Sequence, residues 1–250
     1  GDFQVDRGKW PNMRGFIEKC HSQGQKVLLW LKLWDREGIP DEECIKAANG
    51  KGVVVDPSNP VYENRLRGLI RYCLSKEAGG LNADGFKLDF THDTPSGKDL
   101  ISYDSSIWGV ELLHRLLRII RSEARKIKSD SLILAHTPNP YFADLVDVIR
   151  LNDVHTDKKS ILAKMSHRAK VAKIAGSHWL IDTDNWPAPS YQGWLEYMKF
   201  QPQLGIPSLY YTTHILHTGY QNAEAIMPED YRVIKEIWEK YRKDLGLKEI

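Results

Sequence analysis

The chain has 250 residues, and 42% of them are hydrophobic, enough to bury a large core. Its 35 Lys and Arg residues nearly balance its 33 Asp and Glu residues, leaving a net charge of +2. No basic stripe or Arg-rich tract is present, which argues against nucleic acid as a partner. No apolar run approaches the roughly 18 residues of a membrane span, so we expect no membrane partner.

The cysteines Cys20, Cys44 and Cys73 are odd in number and lack Cys-x-x-Cys spacing. This pattern favours neither a disulfide framework nor a zinc site, and it gives a mild preference for a reducing, cytoplasmic location. The sequence starts at Gly1 without a methionine, which is typical of an excised or processed start. The lack of a visible signal peptide therefore says little about location.

Strand-like and helix-like segments alternate along the chain. The predicted helices cover residues 11–23, 60–75, 105–128, 158–175, 190–204 and 228–244, with short helices near 41–48 and 141–145. Six apolar strands are predicted at residues 26–34, 84–90, 131–136, 146–151, 179–181 and 208–211. Such alternation is typical of a parallel sheet with helical crossovers.

Polar residues follow each of the six strands: Asp35, Asp89, His136, Asp153, Asp182 and His214. In a TIM (β/α)8-type barrel these strand ends converge on one mouth, whereas an open sheet spreads them along an edge. An open Rossmann-like sheet is the alternative, but the sequence has no Gly-x-Gly-x-x-Gly after a strand and no P-loop. We therefore predict a partial barrel of about six βα units. Residues 1–250 are expected to form a single domain that lacks the first two units and needs the rest of its polypeptide to complete the barrel.

The segment Gly85–Phe90 places Lys87 and Asp89 on one face of a strand and its apolar residues on the other. A charged pair near the end of a buried strand is costly unless it is paired or has a function. Asp89 is thus the first candidate for a catalytic carboxylate, and a structural ion pair is the alternative.

Several segments share a pattern with one group of enzymes: Gly1-Asp2-Phe3, Trp10-Pro11-Asn12-Met13, His21 to Val27, Leu29-Trp30 and Phe86 to Phe90. They resemble the barrel of α-galactosidases and α-glucosidases, the glycoside hydrolase families 36, 27 and 31, which form one clan. Phe86 to Phe90 resembles the clan's Lys-x-Asp nucleophile strand, and Arg150 to Val154 resembles its acid/base strand. Trp179 to Trp186 and Gly205 to Leu209 resemble the next two strands.

The resemblance implies a retaining α-glycosidase, most like a family 36 α-galactosidase. It implies no cofactor and no metal, and its partner would be an oligosaccharide or glycoside. Retaining hydrolysis needs a carboxylate nucleophile and a second carboxyl group as general acid/base. The implied roles are nucleophile for Asp89, acid/base for Asp153, hydroxyl contacts for Lys87 and Arg150, and sugar-site walls for Trp30, Trp34, Asp182 and Asp184.

The spacing from Arg150 to Asp153 is one residue shorter than the family pattern, so Asp157 and Asp182 are substitutes for the acid/base. In a regular strand Arg150 and Asp153 would point to opposite sides. Serving one site therefore requires a bulge or an early strand end at Asn152.

Other functions remain open on the sequence. Within the clan they are an α-glucosidase, an α-xylosidase or a transglycosidase. Outside it they are an inert carbohydrate-binding barrel and a metal-dependent hydrolase using His136, Asp153 and Asp182.

Overall fold

A computed structural model of the protein describes residues 2–153, 161–188, 190–216 and 223–247. The chain divides into two compact units. The first comprises Gly1–Thr137 and Asp144–Asp147, and the second comprises Pro138–Ala143 and Val148–Ile250. Both mix α and β structure. Within the described ranges, no helix is long and apolar enough to cross a membrane.

The first unit is built on three parallel strands. Its elements in chain order are α1 (Met13–Ser22), β1 (Leu28–Lys32), β2 (Cys44–Ala47), β3 (Gly52–Val55), α2 (Pro60–Leu74), β4 (Gly85–Asp89), β5 (Leu100–Ile101), α3 (Val110–Ile127) and β6 (Leu132–Ala135). Strand β4 is central, paired with β1 along its whole length and with β6 over its first residues. Gly85 is required there, because a Cβ would lie 1.9 Å from the carbonyl oxygen of Leu132.

Strand β4 alternates as the sequence predicts: Phe86 and Leu88 are buried, whereas Lys87 and Asp89 are half-buried. Helix α3 packs against α2, and its apolar stripe includes the fully buried Leu117 and Ile120. Helix α2 starts at Pro60 and is capped by the side chain of Asn59, as expected for proline at the first helical position.

A buried carboxylate organises the amino-terminal end of β4. Asp84 Oδ2 accepts hydrogen bonds from the backbone N–H of Val27 at 2.8 Å and from His21 Nε2 at 2.7 Å. Oδ1 lies 3.4 Å from the Nζ atoms of both Lys26 and Lys128. The His-x-x-Gly-x-Lys segment that starts at His21 therefore serves to bind Asp84.

Residues 41–48 differ from the predicted short helix. Only Asp41–Glu43 form a helical turn, and Cys44–Ala47 form strand β2 of an antiparallel three-stranded sheet with β3 and β5. The partner β3 contains the β-branched run Val53 to Val55, which favours an extended pair over an isolated helical turn. This small sheet consists of segments that follow β1 and β4 in the chain.

Helix α3 begins at Val110, five residues later than predicted. Gly109 has a φ of 56°, and Ser102 Oγ donates to the carbonyls of Asp104 and Ile107, so residues 102–107 form a closed loop. Ile107 consequently lies outside the helix, and Val110 at its first position is 49% exposed.

The second unit contains two parallel strands and three long helices in its described part. Its elements are β7 (Val148–Arg150), α4 (Ile161–Ala175), β8 (Leu180–Asp182), α5 (Tyr191–Leu204), β9 (His214–Leu216), β10 (Ala223–Ala225) and α6 (Pro228–Asp244). The parallel pair joins Arg150 to Asp182 at its carboxyl end. A core cluster joins α5 and α6 to the β9–β10 hairpin region through Trp194, Met198, Ile215, Ile226 and Ile234.

The predicted strand at residues 208–211 is wrong. Beyond its pairing with β7, strand β8 makes one further parallel bridge within the described residues, between Asp182 and Ile206. The reason is a side chain: Gln201 of α5 accepts from the N–H of Ser208 and donates to its carbonyl, which occupies groups that a strand would use. The described ranges thus contain five strands in parallel pairing, and a closed barrel stays a prediction.

Candidate functional site

Asp89 ends strand β4 with its carboxylate held by two N–H donors. Trp30 Nε1 donates to Oδ2 at 3.1 Å, and the backbone N–H of Phe90 donates to Oδ1 at 2.9 Å. The side chain remains 18% exposed. These donors fix the orientation of the carboxylate and still leave it accessible.

His136 reaches the same carboxylate from the next strand. Leu134 pairs with Lys87, so His136, two residues further on, falls beside Asp89. Its Nε2 lies 3.5 Å from Asp89 Oδ1 and also accepts from the backbone N–H of Thr91 at 3.3 Å. The imidazole of His136 therefore lies between the Asp89 carboxylate and the backbone of Thr91.

Aromatic rings surround Asp89. Trp30 and Phe90 meet edge to face with centroids 6.4 Å apart, and His92 lies 5.5 Å from His136. Trp30 is 48% exposed, so an apolar ring surface beside the carboxylate is open. A carboxylate next to exposed ring faces suits a sugar, whose hydroxyls need polar partners and whose C–H faces need rings.

The register of β1 and β4 places two lysines on the face of Asp89. Lys87 pairs with Trp30 and Asp89 pairs with Lys32, so all four side chains share that face. Lys32 Nζ sits 5.2 Å above the ring of Phe90. The predicted neighbourhood of Lys87 and Asp89 is present, although the contact of Lys87 with a sugar hydroxyl stays a prediction.

Trp34 is placed differently from Trp30. Its ring is only 4% exposed, and its Nε1 has no hydrogen-bond partner within the described part of the chain. In this conformation Trp34 packs in the core, and its predicted contact with sugar remains untested.

A second cluster lies in the second unit around the buried Arg150. Its Nη2 is 2.8 Å from Asp184 Oδ2 and also pairs with Asp153 Oδ1. Exposure differs between the two carboxylates: the side chain of Asp184 is 1% exposed and that of Asp153 is 22% exposed. Of the two partners, Asp153 is therefore the one that solvent or a ligand can reach.

The turn that joins Arg150 to Asp153 has the early strand end at Asn152 that the sequence predicts. Strand β7 ends at Arg150, and Asn152 adopts a left-handed conformation with a φ of 71°. This early end brings Asp153 back towards Arg150, and Arg168 Nη1 binds the carbonyl of Asp153 at 2.7 Å. The predicted irregularity at Asn152 is confirmed.

Asp182 and Asp184 occupy the carboxyl end of β8. Asp182 Oδ1 accepts from the N–H of Asp184 at 3.0 Å, and Asp184 Oδ1 accepts from the N–H of Asn185 at 2.7 Å. Below them, the hydroxyl of Tyr197 donates to the carbonyl of Thr183, and burial raises the pKa of Tyr197 well above its usual range. Tyr197 is thus a neutral, structural hydrogen-bond donor.

Left-handed residues mark the ends of four strands. Trp34, Phe90, Asn152 and Asp184 all have φ between 53° and 71°. Such conformations are costly for side chains with a Cβ and cluster at functional sites. They follow β1, β4, β7 and β8, the strands that carry most of the candidate site residues.

Two contacts in and near the site are not predicted by the sequence. The sequence predicts His136 at a strand tip but not its contact with Asp89, and no local pattern distinguishes Gln201 from the rest of its helix. Asp157, a substitute acid/base, lies outside the described residues. In the part of the chain that is described, no group of three His, Cys, Asp or Glu side chains could hold a metal ion.

No family model matches the chain, and no curated protein matches its sequence. Solved structures do match. A cycloalternan-degrading enzyme from Trueperella pyogenes, in complex with a covalent intermediate, aligns with 94% of this chain at a TM-score of 0.66 and 15% identity. A cycloalternan-forming enzyme from Listeria monocytogenes, in complex with a pentasaccharide substrate, covers 94% at a TM-score of 0.63 and 14% identity.

A glycoside hydrolase family 31 dextranase from Flavobacterium johnsoniae, complexed with isomaltotriose, aligns with 76% of this chain at a TM-score of 0.57 and 11% identity. The chain spans 36%, 24% and 28% of these three proteins respectively. At such identities the likeness shows a shared fold with part of each protein.

Proposed function

We propose that this chain is the catalytic part of a retaining α-glycosidase and that its strands belong to a (β/α)8 barrel. The observation that carries the proposal is Asp89: an accessible carboxylate at a parallel strand's carboxyl end, oriented by Trp30 Nε1 and the Phe90 N–H. Similarity to enzymes that act on cycloalternan and dextran supports a carbohydrate substrate.

In this proposal Asp89 attacks the anomeric carbon. A carboxylate oxygen forms a covalent bond to that carbon as the bond to the leaving oxygen breaks. Trp30 and Phe90 hold the carboxylate in place during the attack, and Lys87 contacts a substrate hydroxyl. The covalent intermediate named for the Trueperella pyogenes enzyme supports a two-step course.

Asp153 is assigned the second role, protonating the leaving oxygen and then deprotonating the attacking water. Its 22% exposed side chain supports this choice over the fully buried Asp184. Arg150 orients Asp153 and contacts the sugar, while Asp182, Asp184 and Trp30 shape the sugar site. Asp182 is the competing acid/base among the described residues.

The experiment replaces each carboxylate in the full-length protein and adds azide. Asp89→Gly should lose hydrolysis and regain turnover with azide, yielding a β-glycosyl azide, because azide takes the place of the nucleophile. Asp153→Ala should still cleave substrates with good leaving groups, and azide should speed it with an α-glycosyl azide as product. If Asp182→Ala shows that second pattern instead, the acid/base is Asp182.

Sugar specificity is decided by a panel of nitrophenyl α-glycosides. The sequence resemblance favours α-galactosides, whereas the cycloalternan and dextran enzymes favour α-linked glucosides. Sugar binding without hydrolysis of any panel member or oligosaccharide would contradict the enzyme proposal and favour an inert carbohydrate-binding barrel.

A further inference from the structure

Two aromatic side chains of the first unit stand out into solvent beside one loop. Tyr103 is 68% exposed and Trp108 is 72% exposed, the most exposed aromatic residues in the described part of the chain. Both rings therefore present apolar faces that a ligand can reach. Neither residue has a role in the proposed chemistry of Asp89.

The backbone that carries the rings is firmly held. The buried carboxylate of Asp56 accepts from the N–H of Tyr103 at 2.6 Å, and Ser58 Oγ accepts from the N–H of Asp104 at 3.0 Å. Asp56 Oδ1 in turn accepts from the hydroxyl of Ser58 at 2.6 Å. These contacts fix the backbone at Tyr103, and the Ser102–Ile107 bond that closes the loop brings the chain neighbours of the two rings together.

A fixed backbone matters because ordering a loop on binding costs free energy. A preformed surface avoids that cost, so its rings can bind a ligand without rearrangement. Between the rings the loop carries the exposed polar residues Asp104, Ser105 and Ser106. Ring faces separated by carboxylate and hydroxyl groups match an oligosaccharide, which presents alternating C–H faces and hydroxyls.

We propose that Tyr103 and Trp108 form an aromatic platform that binds pyranose rings of an α-linked oligosaccharide. The choice of ligand rests on the proposed function, but the binding itself requires no catalysis. The platform would hold sugar units other than the one that reacts at Asp89. It should therefore raise affinity for long substrates and leave cleavage of a simple nitrophenyl glycoside unchanged.

The test is affinity electrophoresis of the full-length protein in gels that contain dextran, starch or galactomannan. The double variant Tyr103→Ala/Trp108→Ala should bind the retarding polysaccharide about tenfold more weakly, as expected for the loss of two stacking contacts. Its kcat/KM on the nitrophenyl glycoside should stay within about twofold of wild type. Trp10→Ala, which removes a 42% exposed ring elsewhere in the unit, is the matched control and should bind normally.

Equal retardation of the double variant and the wild type would overturn the platform. So would a wild-type protein that none of the three polysaccharides retards, or a full-length structure in which another part of the polypeptide covers both rings. A protein that hydrolyses no glycoside but loses polysaccharide binding in the double variant would refute the proposed function and uphold the platform.

Discussion

Strand β4 has a carboxylate at each end, and the two are held in opposite ways. Asp84, just before the strand, contacts His21, Lys26, Lys128 and the Val27 N–H, and its side chain is 6% exposed. Asp89, at the last residue, accepts from an indole and a backbone N–H and is 18% exposed. Asp84 is enclosed by basic side chains, whereas Asp89 stays partly exposed beside aromatic rings, with Lys32 and Lys87 on its face.

The two carboxylates lie five positions apart in the chain. Asp84 contributes to stability, whereas Asp89 is available for function. A buried carboxylate with cationic partners contributes to folding, and removing it leaves those cations uncompensated. A carboxylate that is oriented but accessible contributes little to folding and is available to a substrate. The comparison predicts that equivalent substitutions at the two ends have opposite consequences.

The largest expected effect is on activity at the open end. Asp89→Asn should lower kcat by at least about a thousandfold, because the amide cannot act as a nucleophile. Its melting temperature should remain close to that of wild type, since Asn keeps an acceptor for Trp30 Nε1. Glycoside hydrolysis and thermal unfolding measured on the same preparation check both statements. A strong loss of stability in Asp89→Asn would contradict the proposal that only the Asp84 end of the strand contributes to stability.

At the closed end the expected effect is on stability. Asp84→Asn should lower the free energy of unfolding by about 3 kcal/mol, because it leaves His21 and Lys128 beside a neutral group. Asp130→Asn is the matched control: Asp130 also contacts Lys26, at 3.5 Å, but its side chain is 72% exposed. That variant should change stability by less than about 0.5 kcal/mol in denaturant unfolding.

Strong acid should remove the stabilisation that Asp84 provides at the closed end. Burial alone would raise the pKa of Asp84, but the Val27 N–H, His21 and Lys128 outweigh it and lower the pKa below its usual value. A lowered pKa means that the stabilisation is complete above the unfolded pKa of about 3.9 and is lost as pH falls through the folded value.

Unfolding free energy should therefore fall steeply below about pH 4 in wild type and less steeply in Asp84→Asn. Arginine partners also lower the pKa values of Glu43 and Glu123. These two residues therefore contribute to the pH dependence of the unfolding free energy in both proteins. Identical slopes in urea titrations across that range would contradict the assignment to Asp84.

The smallest effect is expected at His136. His136→Gln keeps an acceptor for the Thr91 N–H and should retain kcat within about threefold, whereas His136→Leu should lose about tenfold with KM unchanged. The rate of covalent labelling of Asp89 by a fluoroglycoside reports the orientation of the carboxylate directly. Equal labelling by both variants would remove His136 from the positioning of Asp89.

The sequence was sufficient for features with a strong local signal. Alternating apolar residues located β4 and the shared face of Lys87 and Asp89, and the helix predicted at 60–75 corresponds to α2. The mismatch between the Arg150–Asp153 spacing and a regular strand predicted the turn that Asn152 makes. Each of these depends on residues close together in the chain.

The misses involve specific pairings between residues, near or far in sequence, that hydrophobic periodicity does not encode. Gln201 occupies the backbone groups of Ser208 and prevents the expected strand, and the β2–β3 hairpin replaces a helix because its pairing outweighs local propensity. His136 contacts Asp89 from 47 positions away, through a register that no local pattern specifies. Sequence periodicity carries no information about such pairings.

The Asp84 cluster also has a consequence for folding kinetics. Its partners His21, Val27 and Lys128 lie 63, 57 and 44 positions from Asp84, so each contact closes a long loop. Contacts of this kind cost chain entropy before they yield stabilisation, and we infer that this cluster is completed after the folding transition state. Loss of the cluster in Asp84→Asn should then appear mainly as faster unfolding in stopped-flow experiments, with the refolding rate nearly unchanged.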